Sequence, residues 1–432
     1  MSLVNQIRRV KEDPVRMVQV FMMCRLGGIL LSSIVIARVL PMEQVGVFEL
    51  LMLCGYLMTF FWSDALLKGY LAIFAGKSTP PQQATFLILL LLAAFLAMAI
   101  LVGGRDWVIP LITDRRSLEG LAWFAIYQAF IIPFWLAPFL DILRKQQIWV
   151  AGMFVLIGPS FAGWIGFSAI PAIEGVLIGL MSYALVGFLW VMASLQFPRR
   201  LDIRKMIIQL WPLIWPLMLY AISTAIAKSF DAWLVARQFD ESTFAIFRYG
   251  AREFPLVVAL ATGLSTSIIS RLIQPDGMSE LKTRSTRLMH ICYPLVILLL
   301  LLSTPLFVFF FGKDYEASAR IFNLYLLLTL TQLVFPQSVL TSKGDTRLLW
   351  YVSLIELGVN VVASYMLLQW LGLVGIVWGT IIAFAFEKIV LLFILHRRYA
   401  ISPSHIISFR VWGTYVILMV AAFILSGWVA GL

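Results

Sequence analysis

Apolar segments long enough to cross a bilayer recur along the whole chain, and no other feature of the sequence constrains the fold as strongly. Crossing about 30 Å of hydrocarbon takes a helix of roughly 20 residues. Inside lipid, only helices and closed barrels satisfy every backbone polar group. The runs are continuous, not alternating stretches of about 10 residues, so helices are expected and a barrel is not. Such stretches place helices at 15–40, 44–75, 84–103, 117–141, 147–169 and 172–196, then at 206–236, 243–273, 285–311, 316–341, 346–371 and 373–396, with one more at 409–430. The expected fold is therefore an all-α polytopic membrane protein of about thirteen spans. Composition agrees: of 432 residues, 61% are hydrophobic and 13% charged, against roughly 25% charged in soluble domains.

The net charge of +11 would suggest nucleic acid in a soluble chain, but in a membrane protein Lys and Arg collect in cytoplasmic loops. One side holds Arg8, Arg9, Lys11, Arg16, Lys77, Arg144, Lys145, Arg199, Arg200, Arg204 and Lys205, and again Lys282, Arg284, Arg287, Lys343, Arg347, Arg397 and Arg398. The other holds Arg38, Arg105, Arg115, Arg116, Arg237, Lys313 and Arg320. The N-terminus is thus expected in the cytoplasm and Leu432 outside. The run from Val15 to Leu40 is too long for a signal-peptide core and ends in no small-residue cleavage site, so it reads as an uncleaved first helix. Cys24, Cys54 and Cys292 lie inside apolar segments without ligand spacing and support neither disulfide nor metal chemistry.

Two sets of six helices share residues at an offset of about 199 to 200. Ala37-Arg38 with Phe48 matches Ala236-Arg237 with Phe247. Arg144 matches Lys343, and Gly175 and Gly179 match Gly375 and Gly379. Because six is even, both halves share one orientation, a parallel repeat about an axis along the membrane normal. The expected organisation is an N-lobe at 1–198, a cytoplasmic linker at 199–205, a C-lobe at 206–400 and an additional helix within 401–432, the two six-helix bundles surrounding a central cavity.

Gly76-Lys77-Ser78 imitates a phosphate loop, but Leu71 stands where that loop needs glycine. His290, His396 and His405 are scattered, and no outer loop is large enough for glycosyl transfer, so an enzyme is not expected. What remains is a set of ionisable residues within spans, each expensive in lipid: Arg25, Asp64, Lys68, Lys228, Asp231, Arg248, Arg252, Glu253, Glu356 and Glu387. Arg25, Lys68, Lys228, Arg248 and Arg252 suit phosphate oxygens. Alternatively, Asp64 with Lys68 and Asp231 with Lys228 are packing ion pairs, and Arg25 and Arg248 snorkel to an interface. Glu387 and Lys388 are adjacent and do not share a helix face, so at least one is expected to need another partner. A carboxylate among Asp64, Asp231, Glu253, Glu356 and Glu387 would serve ion coupling or structural pairing. Prolines within spans permit bending, and Pro212 with Pro216 mark the first place to look for it.

Ile36-Ala-Arg-Val-Leu-Pro-Met-Glu-Gln-Val-Gly-Val-Phe48, its echo at 234–249, Leu143–Gln147 and Gly372–Gly379 resemble the polysaccharide (O-antigen and capsule) flippase branch of the multidrug/oligosaccharidyl-lipid/polysaccharide flippase superfamily. The resemblance implies a transporter that flips an undecaprenyl-diphosphate-linked oligosaccharide by alternating access at the bacterial inner membrane. It implies cavity cations for the diphosphate, no cofactor beyond a proton or sodium gradient, and polymerase and glycosyltransferase partners for a monomer among membrane lipids. A drug or cation exporter of that superfamily would carry acidic residues in its first cavity, where basic ones outnumber Asp64 here. A major-facilitator carrier would carry a Gly-Asp-basic pattern that Ala75–Gln83 lacks.

Overall fold

A computed structural model of the chain describes residues 14–74, 79–115, 117–140, 145–195, 202–269 and 271–429. Gly76-Lys77-Ser78, Arg144 and most of the expected linker lie outside these. Among the described residues, secondary structure is helical throughout, and twelve segments are long and apolar enough to cross a membrane. The helices are α1 (Pro14–Val39), α2 (Met42–Phe74), α3 (Pro80–Gly103), α4 (Arg105–Ile112), α5 (Leu121–Leu136), α6 (Lys145–Ala169), α7 (Ile173–Ser194) and α8 (Ile203–Gln238). There follow α9 (Glu241–Gly250), α10 (Pro255–Ile268), α11 (Gly277–Phe311), α12 (Glu316–Leu327), α13 (Thr329–Gln332), α14 (Pro336–Ser342), α15 (Thr346–Leu371), α16 (Leu373–Tyr399), α17 (Pro403–Ile406) and α18 (Phe409–Val429). Starts are marked by local chemistry: at α3, Pro80 and Pro81 fill first-turn positions that need no N–H, while Thr79 N donates to Gln82 Oε1 at 2.9 Å.

Spatially the chain divides into two compact units, 1–245 and 246–432, whereas the duplication sets its division at 199–205. The difference arises because α8, the first helix of the second repeat, packs along α2 of the first, with Gly69 against Ile214. Within the first unit α1 lies along α6, α3 along α5, and α7 against both α5 and α6. Within the second, α15 lies along α16 and α11 along α18.

The repeat glycines show what the duplication preserves. A methyl group on Gly179 would collide with the Ala162 carbonyl, and one on Gly175 with the carbonyls of Gly166 and Ile170. In the other half, a methyl on Gly375 would meet the Leu367 carbonyl and one on Gly379 would meet Ser364. Each repeat thus ends in a helix pair whose backbones touch, a contact open only to residues without a side chain.

Three expectations need correction. The eighth span, read as continuous over 243–273, is broken: α9 stops at Gly250 and α10 starts at Pro255. Proline removes a backbone donor and keeps its predecessor out of the helical region, which apolarity alone does not reveal. Twelve long spans and one broken one therefore replace thirteen equal ones. The tenth is carried by α12, α13 and α14, with Pro336 opening the last piece. Pro212 and Pro216, by contrast, sit inside α8, a continuous helix of 36 residues.

The additional helix α18 has a structural role. Its Trp412 Nε1 donates to the Leu330 carbonyl at 3.1 Å, inside the interrupted tenth span. Asn323 Nδ2 donates to Ser426 Oγ at 3.0 Å, and Tyr415 OH lies 3.0 Å from His290 Nδ1. Interrupting a helix frees carbonyls that lipid cannot satisfy, and α18 supplies a donor to one of them. The glycine contacts predict that Gly179→Ala and Gly379→Ala each destabilise by about 1–3 kcal/mol through overpacking. Gly358→Ala, with open space around it, is neutral or stabilising by up to about 1 kcal/mol; thermal unfolding in detergent measures all three.

Candidate functional site

In the first unit the sequence places a guanidinium among aromatic rings. Gly28 lets α1 press against the Val155 carbonyl of α6, which brings Arg25 inward. Its Cζ lies 4.0 Å from the centroid of the Trp135 ring, on α5 just before a 3-10 turn at Ala137–Leu140. Tyr127 on α5 and Tyr183 on α7, both buried, stand close enough to act on the Arg25 charge. Tyr183 is held by a stacked Phe154 ring at 4.8 Å. The Tyr183 hydroxyl and Trp135 Nε1 are neighbours, yet neither makes an aligned hydrogen bond.

This group is rich in donors, and none of the ion pairs formed among the described residues includes Arg25. A cation–π contact contributes about 0.5–2 kcal/mol, less than the several kcal/mol it costs to take a charge out of water. An anion supplies the missing partner, and a guanidinium fork with an indole N–H and a phenol O–H suits phosphate oxygens. Sequence reasoning found Arg25 but missed Trp135, Tyr127 and Tyr183. The only signal was the position of Trp135 between Pro133 and Pro138 in the middle of a span.

The other cations of the first unit behave differently. Lys68 Nζ pairs with Asp64 Oδ2 at 2.6 Å across one helical turn, with half of the lysine side chain exposed, and so follows the packing-pair reading. Lys228 is exposed on α8 and Asp231, three residues on, is half-buried.

In the second unit the cations gather at the broken helix. Arg248 is in the last turn of α9, where positive charge complements the helix dipole. Arg252 lies in the break, its Nε donating to the Arg248 carbonyl at 3.3 Å and its Cζ 4.9 Å from the Tyr249 ring centroid. The break is supported by protein: Ser318 Oγ donates to the Ile246 carbonyl at 2.9 Å, and Gly250 is pressed against the Ser318 carbonyl and Ile321. Glu253 occupies the same break, immediately before α10. Interrupted helices that expose backbone dipoles near membrane depth are a recurrent way for transporters to hold ions.

Glu356 is half-buried on α15. Glu387 and Lys388 are both buried on α16 and, contrary to the helix-face expectation, pair with each other at 2.9 Å. The long lysine chain reaches back over the backbone, and Glu387 also accepts from Gln337 Nε2 at 3.3 Å. Among the described residues no group of three or more metal-ligating side chains forms.

Comparison with known proteins adds to this geometry. The family model described as lipid II flippase MurJ matches residues 152–431, more than half of the chain. A solved structure of a lipid II flippase MurJ in an inward closed conformation is similar with a TM-score of 0.67 at 15% identity, covering 96% of this chain and 98% of that one. A MATE multidrug transporter, DinF-BH, in complex with rhodamine 6G is similar with a TM-score of 0.55 at 13% identity, covering 92% and 96%. An outward-facing MATE transporter of the MOP superfamily gives 0.52 at 14%, covering 90% and 96%. At these identities the likeness shows the fold. No match is found among curated proteins.

A buried guanidinium without a carboxylate partner has a testable signature, because replacing it with an apolar side chain relieves desolvation. Arg25→Leu is expected to melt at or above the parent temperature in detergent. Inorganic pyrophosphate is expected to raise the melting temperature of the parent and not of Arg25→Leu. Equal pyrophosphate shifts in the two proteins would remove Arg25 from the site.

Proposed function

Because this chain belongs to the lipid II flippase MurJ family, we propose that it carries a polyprenyl-diphosphate-linked saccharide from the inner to the outer leaflet of a bacterial cytoplasmic membrane. The observation that carries this reading is the Arg25 guanidinium, held on Trp135 among donors and in no ion pair among the described residues. A neutral or cationic cargo leaves that charge uncompensated, while a diphosphate compensates it with oxygens of the geometry guanidinium recognises. Arg248 and Arg252 at the interrupted eighth span form a second cationic station of the same character, and Lys68 and Lys228 add diffuse positive charge.

The saccharide has two readings. The family match favours lipid II. The first outer turn at Ile36–Phe48 favours the oligosaccharide unit of a surface polysaccharide, with polymerase and glycosyltransferases as neighbours. The diphosphate is common to both. No bond of the cargo is made or broken, so the work required is passage of a charged head group through low dielectric, where an unpaired charge is costly. Glu356, Glu387, Asp64, Asp231 and Glu253 are the carboxylates available for coupling passage to a proton or sodium gradient. The clustering of Lys and Arg sets the N-terminus on the cytoplasmic side.

The test is reconstitution into liposomes with fluorescent undecaprenyl-diphosphate oligosaccharide, lipid II or rhodamine 6G as cargo. Flipping of either lipid-linked saccharide supports the proposal, and the faster of the two identifies the glycan. Arg25→Ala and Arg252→Ala are expected to slow it at least about tenfold, equivalent to about 1.4 kcal/mol of barrier. Movement of rhodamine 6G with no movement of either lipid would establish a drug exporter instead.

A further inference from the structure

Within the first unit, one end carries a set of charges that the cargo reading does not use. Arg115, in the segment after α4, clasps Glu241 at the start of α9 with both ends of its fork, Nη2 lying 2.5 Å from Oε2. The Glu241 side chain is only 8% exposed, against 51% for Arg115. The same guanidinium lies 3.9 Å from Glu43 Oε1 at the start of α2. Alongside, Arg237 Nη2 is 3.4 Å from Asp114 Oδ1 and its Nη1 donates to the Pro110 carbonyl at 3.2 Å. Trp233 Nε1 donates to the Leu111 carbonyl at 2.8 Å.

The partners come from different halves of the duplication. Glu43 and residues 110–115 belong to the first repeat, and residues 233–241 to the second. The two turns that the duplication relates, following α1 and α8, touch directly: a methyl group on Gly46 would collide with the Glu241 carbonyl. The contact is held in shape locally, since Thr243 donates to Asp240 from its hydroxyl and from its backbone N at 2.8 Å. Those bonds keep the Asp240 carboxyl below its ordinary range, so this cap is charged at neutral pH and is lost only as the pH falls through that lowered value. The hydrogen bond to Glu241 likewise favours the charged form of Arg115.

We propose that this clasp is an ionic lock between the two repeats, one that must open for cargo to leave through the end that the charge distribution assigns to the outside. The inference rests on the transport reading. A cargo with a bulky saccharide cannot pass while backbone touches backbone at Gly46, so the turns must part. Parting them strips Glu241 of a fork-on-fork partner and returns a buried carboxylate to water. A bidentate pair with one buried member resists that more than an exposed pair does. The lock thus sets how often this end opens, and removing either partner biases it open. It is also specific in sign: Arg115→Glu would place three carboxylates together with Glu43 and Glu241, whereas exchanging the two charges restores the attraction.

The experiment measures opening directly, without cargo. Val45, fully buried beside Gly46, is replaced by Cys in full-length protein whose three native cysteines are changed to Ala, and the rate of maleimide labelling is followed in detergent. Labelling is expected to be slow with the clasp intact and at least about tenfold faster in Glu241→Gln and Arg115→Ala, the same factor by which the open population rises. The double exchange Arg115→Glu with Glu241→Arg is expected to return labelling toward the parent rate. Unchanged labelling in both single variants would overturn the lock. If the single variants fail to fold, the double exchange decides: folding with slow labelling supports the lock, and folding with fast labelling contradicts it. Because no cargo is present, faster labelling together with failed lipid transport would count against the cargo reading and leave the lock standing.

Discussion

Every backbone N–H and C=O in a hydrocarbon layer needs a partner from the protein itself, and the rest of this structure follows from meeting that demand and from the two places where helices are interrupted. Uninterrupted helices meet it without help, so most spans need only length and apolarity. The eighth and tenth do not. At the eighth, Ser318 donates to the Ile246 carbonyl while Gly250 lies flush against the same neighbouring helix. At the tenth, Trp412 of the last helix donates to the Leu330 carbonyl. The additional helix, which has no counterpart in the duplication, is therefore tied to an irregularity that the second half contains.

Charge obeys a parallel rule. Most ionisable groups of this chain answer the cost of burial by pairing: Lys68 with Asp64, Lys388 with Glu387, Arg115 with Glu241. Arg25 does not, and a side chain that takes the cost of burial without a counter-charge is one whose counter-charge comes and goes. That contrast separates a candidate binding residue from structural ion pairs of the same composition, and it agrees with membership of a family whose cargo is lipid-linked.

Much of the architecture was legible in the sequence because hydropathy and length act locally. The duplication was legible because close backbone packing demands glycine at the same place in each half, at Gly175 and Gly179 and again at Gly375 and Gly379. The break after Gly250 was hidden, since the apolar run passes through it and Pro255 resembles Pro212 and Pro216, which α8 accommodates without interruption. Trp135, Tyr127 and Tyr183 were hidden for another reason: which aromatic ring meets Arg25 depends on how α1, α5 and α7 pack, and no spacing records that. Arg115 and Glu241 lie 126 positions apart, beyond any local pattern. The Glu387–Lys388 pair misled helix-face reasoning because a lysine chain is long enough to curl back onto its neighbour.

The central claim is that this chain recognises its cargo through the negative charge of a lipid diphosphate. Native mass spectrometry of the purified protein, offered equal amounts of undecaprenyl diphosphate and the neutral alcohol undecaprenol, tests it most directly. The account predicts that the diphosphate stays bound at collision energies that strip the alcohol, and that this preference disappears when Arg25 is replaced by an uncharged residue. Equal retention of the two lipids by the parent protein would contradict it.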